Sequence, residues 1–159
     1  MAKKMVRNEK GFTLIELVVV IVVLGILAAF AVSRYTRMAT DARIAAVNGL
    51  AGGLRGAVAI VQGQYIAAGN TAAITVTMLD TTVVDVSSGA AGGIPTGAAT
   101  GIAAAMRDYS GFTFTASGAG TPAYFTPTNG GGLTCRVEYY PVTIAPNLAG
   151  SVVALTGGC

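Results

Sequence analysis

Gly11-Phe12-Thr13-Leu14-Ile15-Glu16 places one carboxylate just inside an apolar run that continues from Leu17 to Val32. A charge in a membrane-length apolar segment is costly unless it has a partner. Cutting the chain between Gly11 and Phe12 would create an α-amino group four residues from Glu16. An amine and a carboxylate in low dielectric attract strongly, and pairing offsets the cost of burying each. In an assembly, the amine of one chain would meet Glu16 of its neighbour and set the register. Two alternatives are cleavage after the apolar run, near Ala28, Ala29 and Ala31, and an uncut anchor; neither explains the embedded carboxylate. A third is a Glu16 that reaches the nearby interface unpaired.

Other reactive side chains are few. Cys135 and Cys159, with 23 residues between them, read as one disulfide if the domain is exported, two free thiols being the alternative. Closing such a loop contributes about 3 kcal/mol. Histidine is absent, which removes the usual general base and most zinc sites. Asp80, Asp85 and Asp108 are scattered and read as solvated loop carboxylates, with calcium ligation the alternative. The glycine-rich stretch from Gly89 to Gly101 has no lysine and no phosphate-loop spacing. Phe112, Phe114, Tyr124, Phe125, Tyr139 and Tyr140 read as sheet packing, with a sugar-binding platform the minor alternative. The chain therefore reads as a non-enzyme that needs no cofactor and no metal.

The elements that position these residues begin with the apolar segment. From Phe12 to Val32 only Glu16 is charged, and these residues as a helix span roughly 30 Å, the thickness of a bilayer core. The basic leader Met1 to Lys10 favours the cytoplasmic side, although Arg34, Arg37 and Arg43 lie beyond the span. Without residues 1–11, Lys+Arg falls from 10 to 6 and Asp+Glu from 7 to 6. The basic balance thus belongs to a disposable leader, and no basic stripe remains to follow nucleic acid.

The helix is expected to continue past the membrane. Ile44, Val47, Ala51, Leu54, Val58, Val61 and Tyr65 recur at alternating steps of three and four, one helix face that reads as a core stripe against a sheet. Gly49, Gly52, Gly53 and Gly56 interrupt it and predict a close approach of a sheet or helix, or an end near Gly63, with simple tolerance within a stable fold the alternative. Arg37 and Asp41 are four apart, in the less favourable order for a pair within one helix. Residues 74–78 and 83–86 alternate and predict a hairpin. Residues 96–109 predict a short helix. Residues 112–115, 123–126, 133–140 and 151–156 predict three to four antiparallel strands over one face of the long helix, with Cys135 in the third.

Lys10-Gly11-Phe12-Thr13-Leu14-Ile15-Glu16-Leu17 and the run after it resemble the type IV prepilin processing and assembly motif. The resemblance implies an α+β type IV pilin fold: a long N-terminal helix on a C-terminal antiparallel sheet, closed by a C-terminal disulfide. It implies a leader 1–11, a membrane and filament-core helix 12–33, and a head 34–159. Within the head, the helix would run to about residue 63, a variable region over 64–110 and the sheet over 111–159. It further implies cleavage after Gly11 by a prepilin peptidase, methylation of the Phe12 amine and a filament register set by Glu16. The partners would be copies of the same chain, the inner membrane and its pilus assembly machinery. Localisation would be the bacterial inner membrane, N-terminus inside, and then the extracellular pilus. Gly25 matches a family glycine; Ser33 stands where a proline is common. Asp41-Ala42-Arg43 with Gly49-Leu50, Gly93-Ile94-Pro95-Thr96, Gly101 to Ala105, and Cys135 with Gly158-Cys159 look like pilins of the mannose-sensitive haemagglutinin type, which implies an adhesive, surface-attachment pilus; the sugar-platform alternative for the aromatics makes a surface carbohydrate a candidate ligand. A type II secretion pseudopilin, a minor pilin or a twitching-motility pilin shares the same N-terminal motif, and a single-pass anchored binding module without a polymer is a further alternative.

Overall fold

The computed structural model describes residues 11–69, 72–88, 92–142 and 147–159. The leader expected over residues 1–11 lies outside the described residues except for Gly11. The chain divides into two compact units, Met1–Ala39 and Thr40–Cys159.

One helix, α1, runs Leu14–Ala68. From Leu17 to Val32 it is apolar all round, and every residue from 11 to 39 is exposed. A helix of that composition is stable in a solvent as apolar as itself. The helix continues through Ser33, whose hydroxyl donates to the Phe30 carbonyl at 3.1 Å. It also continues past Gly63, the expected end, to Ala68. Burying Tyr65 one turn after Val61 outweighs one exposed glycine, which costs about 1 kcal/mol. Gly69 stops the helix: its φ of 66° is a left-handed conformation, and its N–H returns to the Ile66 carbonyl at 3.1 Å.

In the second unit, α1 buries Val47, Leu50, Ala51, Leu54, Val58, Val61 and Tyr65. That is the predicted stripe with Leu50 added and Ile44 half-buried. Val47 to Val58 join Phe125, Val137, Tyr139 and Val152 of the sheet in one cluster. Val61 and Tyr65 join Val76, Val84 and Val86 in a second. The glycine expectation is corrected. A Cβ at Gly49, Gly52 or Gly56 would meet nothing within 4 Å, and only Gly53 faces a neighbour, Met106 Cε at 3.4 Å. Among the described residues of one chain, only Gly53 of these four lies against a packed neighbour.

The hairpin is present. β1 (Thr75–Thr77) and β2 (Val83–Asp85) pair antiparallel, with Val76 opposite Val84. Asp80 shapes the turn: its Oδ1 accepts the Thr82 N–H at 3.2 Å, and this bond holds the carboxyl below its usual range. The helix expected over 96–109 shrinks to a turn, Ala99–Ala103, broken at Gly101 (φ −97°, ψ −105°). A side chain at Gly101 would collide with the Thr96 backbone and hydroxyl, and the preceding Ala98 offers no side-chain cap.

β3 (Phe112–Thr115), β4 (Ala123–Pro127), β5 (Arg136–Tyr140) and β6 (Ser151–Leu155) form a four-stranded antiparallel meander in chain order. Phe125, Val137, Tyr139 and Val152 point into the core. β5 starts at Arg136, so Cys135 stands just before the third strand rather than inside it. The Cys135 N–H instead bonds the Gly132 carbonyl at 2.9 Å, a local turn that delays the strand.

Tyr139 is fully buried, and its hydroxyl donates to the Pro95 carbonyl at 2.6 Å. Burial pushes the phenol well above its ordinary range. A group whose folded pKa is raised stabilises the fold fully below its unfolded value, about pH 10, and loses that contribution as pH climbs beyond it. Tyr139→Phe, which leaves the Pro95 carbonyl unpaired, is expected to cost about 1–2 kcal/mol in urea unfolding at pH 7. It is also expected to flatten the loss of stability above pH 10. An unchanged alkaline limb would assign that loss to other groups.

Candidate functional site

Thr13 is the last residue before α1, and Glu16 lies in its first turn. The two cap the helix reciprocally. Glu16 Oε2 accepts the Thr13 backbone N–H at 2.8 Å and the Thr13 hydroxyl at 2.7 Å, while the Glu16 N–H reaches Thr13 Oγ1 at 3.3 Å. This is a capping box: it satisfies N–H groups that have no carbonyl within the helix, and the carboxylate opposes the positive end of the helix dipole. Glu16 Oε1 has no partner among the described residues. Gly11 and Phe12 precede the helix in non-helical backbone, with Phe12 94% exposed. The scissile bond predicted from sequence therefore lies on open chain, with Phe12 alone between it and the cap. Sequence reasoning missed Thr13, although its signal was present: threonine, two residues, glutamate, then an apolar run.

The other predicted pair is joined. Cys135 and Cys159 form a disulfide with Cα atoms 4.8 Å apart. Backbone bonds hold the terminal segment beside Cys135: Gly132 N–H to Gly158 O at 2.7 Å and Gly158 N–H to Thr134 O at 3.3 Å. Arg43 on α1 donates to the Cys159 carbonyl at 2.6 Å, and Arg55 to the Val152 carbonyl of β6 at 3.0 Å. Sequence reasoning missed both anchors, which lie 116 and 97 residues from their partners.

The remaining polar residues are built into the fold. Glu138, the buried charged residue among the described ones, accepts two N–H bonds from Arg136 and one O–H bond from Tyr140 at 2.7 Å. The Arg136 guanidinium also lies 4.7 Å from the centre of the Tyr124 ring. Tyr109 and Phe114 pack on Phe125, with ring centres 5.5 and 4.9 Å away. Most of the candidate aromatics thus pack the sheet. Asp80 pairs with Arg107 at 3.2 Å on the surface, Asp85 accepts the Thr100 hydroxyl, and Asp108 closes its own turn through Ser110. These bonds to Ser110 hold the Asp108 carboxyl below its usual range. Among the described residues no three acids or cysteines gather as a metal site.

Comparison with known proteins bears on the N-terminus first. Residues 6–32 match the family model described as the prokaryotic N-terminal methylation motif. The chain is 37% identical over 101 residues to the fimbrial protein EcpC of Eikenella corrodens, a stretch covering 47% of this chain and 66% of that one. It is 47% identical over 57 residues to the type IV narrow pilus major component PilA5 of Thermus thermophilus, covering 36% of this chain and 49% of that one. The chain thus spans less than two thirds of the length of these relatives. No solved structure matches significantly. The long helix, the antiparallel sheet and the Cys135–Cys159 disulfide are those of the type IV pilin fold. Together with the methylation motif and the pilin relatives, they support a type IV prepilin.

Proposed function

We propose that the chain is the structural subunit of a type IV pilus, cut between Gly11 and Phe12 by a prepilin peptidase, methylated on the Phe12 amine and polymerised by an inner-membrane assembly machinery. The observation that carries this reading is an uncharged stretch of helix, Leu17 to Val32, exposed along its whole length, that begins at a single carboxylate. Such a surface has two natural solvents: lipid, and identical helices. Before assembly the segment is held in the inner membrane. In the filament it exchanges lipid for its neighbours, through dispersion packing and the pair between the Phe12 amine and Glu16. Glu16 Oε1 is the atom left over for that amine once Oε2 has capped the helix. The role is structural rather than enzymatic.

The pilus is of the adhesive, mannose-sensitive haemagglutinin-like kind. The scattered motifs from Asp41 to Cys159 support this, and repeated display of heads would turn weak contacts with a surface carbohydrate into firm attachment. A type II secretion pseudopilin shares the N-terminus; the relatives named for fimbriae and a pilus favour the pilin. The test is the intact mass of the main component of filaments sheared from the cell surface. The expected species is residues 12–159, oxidised at the cysteine pair and carrying one added methyl group. Recovering only full-length chain in the membrane would overturn the reading.

A further inference from the structure

The helix α1 contains two acidic residues, Glu16 and Asp41. Each is preceded by a cation at the same distance: the Phe12 amine, once exposed by cleavage, lies four residues before Glu16, and Arg37 lies four before Asp41. The two sets are 25 residues apart, close to seven turns of α-helix at about 3.6 residues per turn. Seven turns bring the same face of the helix round again.

We propose that Arg37 of one copy pairs with Asp41 of a neighbouring copy, a second charge contact that fixes the same register as the N-terminal one. This rests on the polymer reading above. In parallel copies, a stagger of four residues that places an amine at position 12 against Glu16 places position 37 against position 41. Both side chains are exposed, and among the described residues neither takes part in an ion pair or hydrogen bond. They could meet within their own chain, one turn apart, but a base ahead of an acid is the weaker order there. The other bases of α1 do not compete for this contact. Arg43 and Arg55 are turned to the Cys159 and Val152 carbonyls, and the same stagger sets Arg34 against Met38. Both partners lie beyond the apolar run, where a bare acid or base is tolerated; the contact therefore selects register rather than supplying most of the assembly energy.

Charge reversal tests this in cells expressing the full chain. Arg37→Asp alone and Asp41→Arg alone each put like charges in contact along the fibre. Each is expected to lower sheared-filament yield about tenfold, while processed, N-methylated chain accumulates at its usual level in the membrane. Co-expressing the two single variants restores opposite charges between unlike neighbours and is expected to recover filaments containing both chains. A pair within one chain would not be rescued in this way. Normal filaments from either single variant, or no recovery on co-expression, would overturn the contact and leave the Phe12–Glu16 pair standing. If the unaltered chain gave no processed filaments, the pilus reading itself would fall, and this contact with it.

Discussion

Glu16→Ala is expected to cut sheared filaments about a hundredfold or more, while cleaved and methylated chain accumulates in the membrane. Removing one partner of a buried pair strands the other charge and costs about 3–5 kcal/mol, and each 1.4 kcal/mol is about a factor of ten. The capping geometry shows that this variant alone would mix two effects, since Glu16 also closes the first turn through Thr13. Two further substitutions separate them. Thr13→Ala removes the capping hydroxyl but keeps the carboxylate; the cap is worth about 1 kcal/mol, so filament yield should fall less than tenfold. Glu16→Gln keeps an acceptor for the Thr13 N–H but has no charge, and should behave like Glu16→Ala. If Thr13→Ala proved as damaging as Glu16→Ala, helix capping rather than intermolecular pairing would be the role of the carboxylate. Normal filaments from the Glu16→Ala chain alone would remove both accounts.

Much of the fold could be read from local pattern. The core stripe of α1 follows from spacing, because burial on one helix face imposes a period near 3.6 on the apolar residues. The hairpin and the sheet follow from alternation with turn residues between, and the joined cysteines from their number and place. The departures have two physical causes: non-local contacts that overrode local signals, and close local approaches that composition does not reveal. Gly63 looked like an end, yet Tyr65 buries against Val76 and Val84 of the hairpin and carries the helix onward. Residues 96–109 had helical composition, but Gly101 must pass close to Thr96. The anchors Arg43 and Arg55 reach carbonyls across the fold, and nothing in their own neighbourhood marks them. Thr13 is a different case. Its signal was local, but the same carboxylate answers two requirements, a cap within the chain and a partner between chains, and the second alone already accounted for its presence.

Replacing both cysteines by serine is expected to be the most destabilising change in the head. The bridge closes a loop of 23 residues between Cys135 and Cys159, worth about 3 kcal/mol through the lost freedom of the unfolded chain. More than loop entropy is at stake. Cys135 is fully buried in the main core cluster, and Cys159 packs against the same cluster. A serine hydroxyl buried at position 135 without a hydrogen-bond partner would cost roughly 1–3 kcal/mol. The terminal segment would also lose the covalent tie that keeps it beside Gly132 and Thr134, so the Arg43 bond to Cys159 would weaken with it. In detergent, urea unfolding followed by tyrosine fluorescence should show a midpoint shifted by an amount equal to about 3–5 kcal/mol, with reductant reproducing most of the shift in the unaltered chain. Arg43→Ala in the oxidised chain should cost about 1 kcal/mol and cost less once the cysteines are gone, because an untethered tail no longer holds the carbonyl in place. Equal effects in the two backgrounds would show that the tail keeps its position without the bridge, and that hydrogen bonds alone fix the end of the sheet.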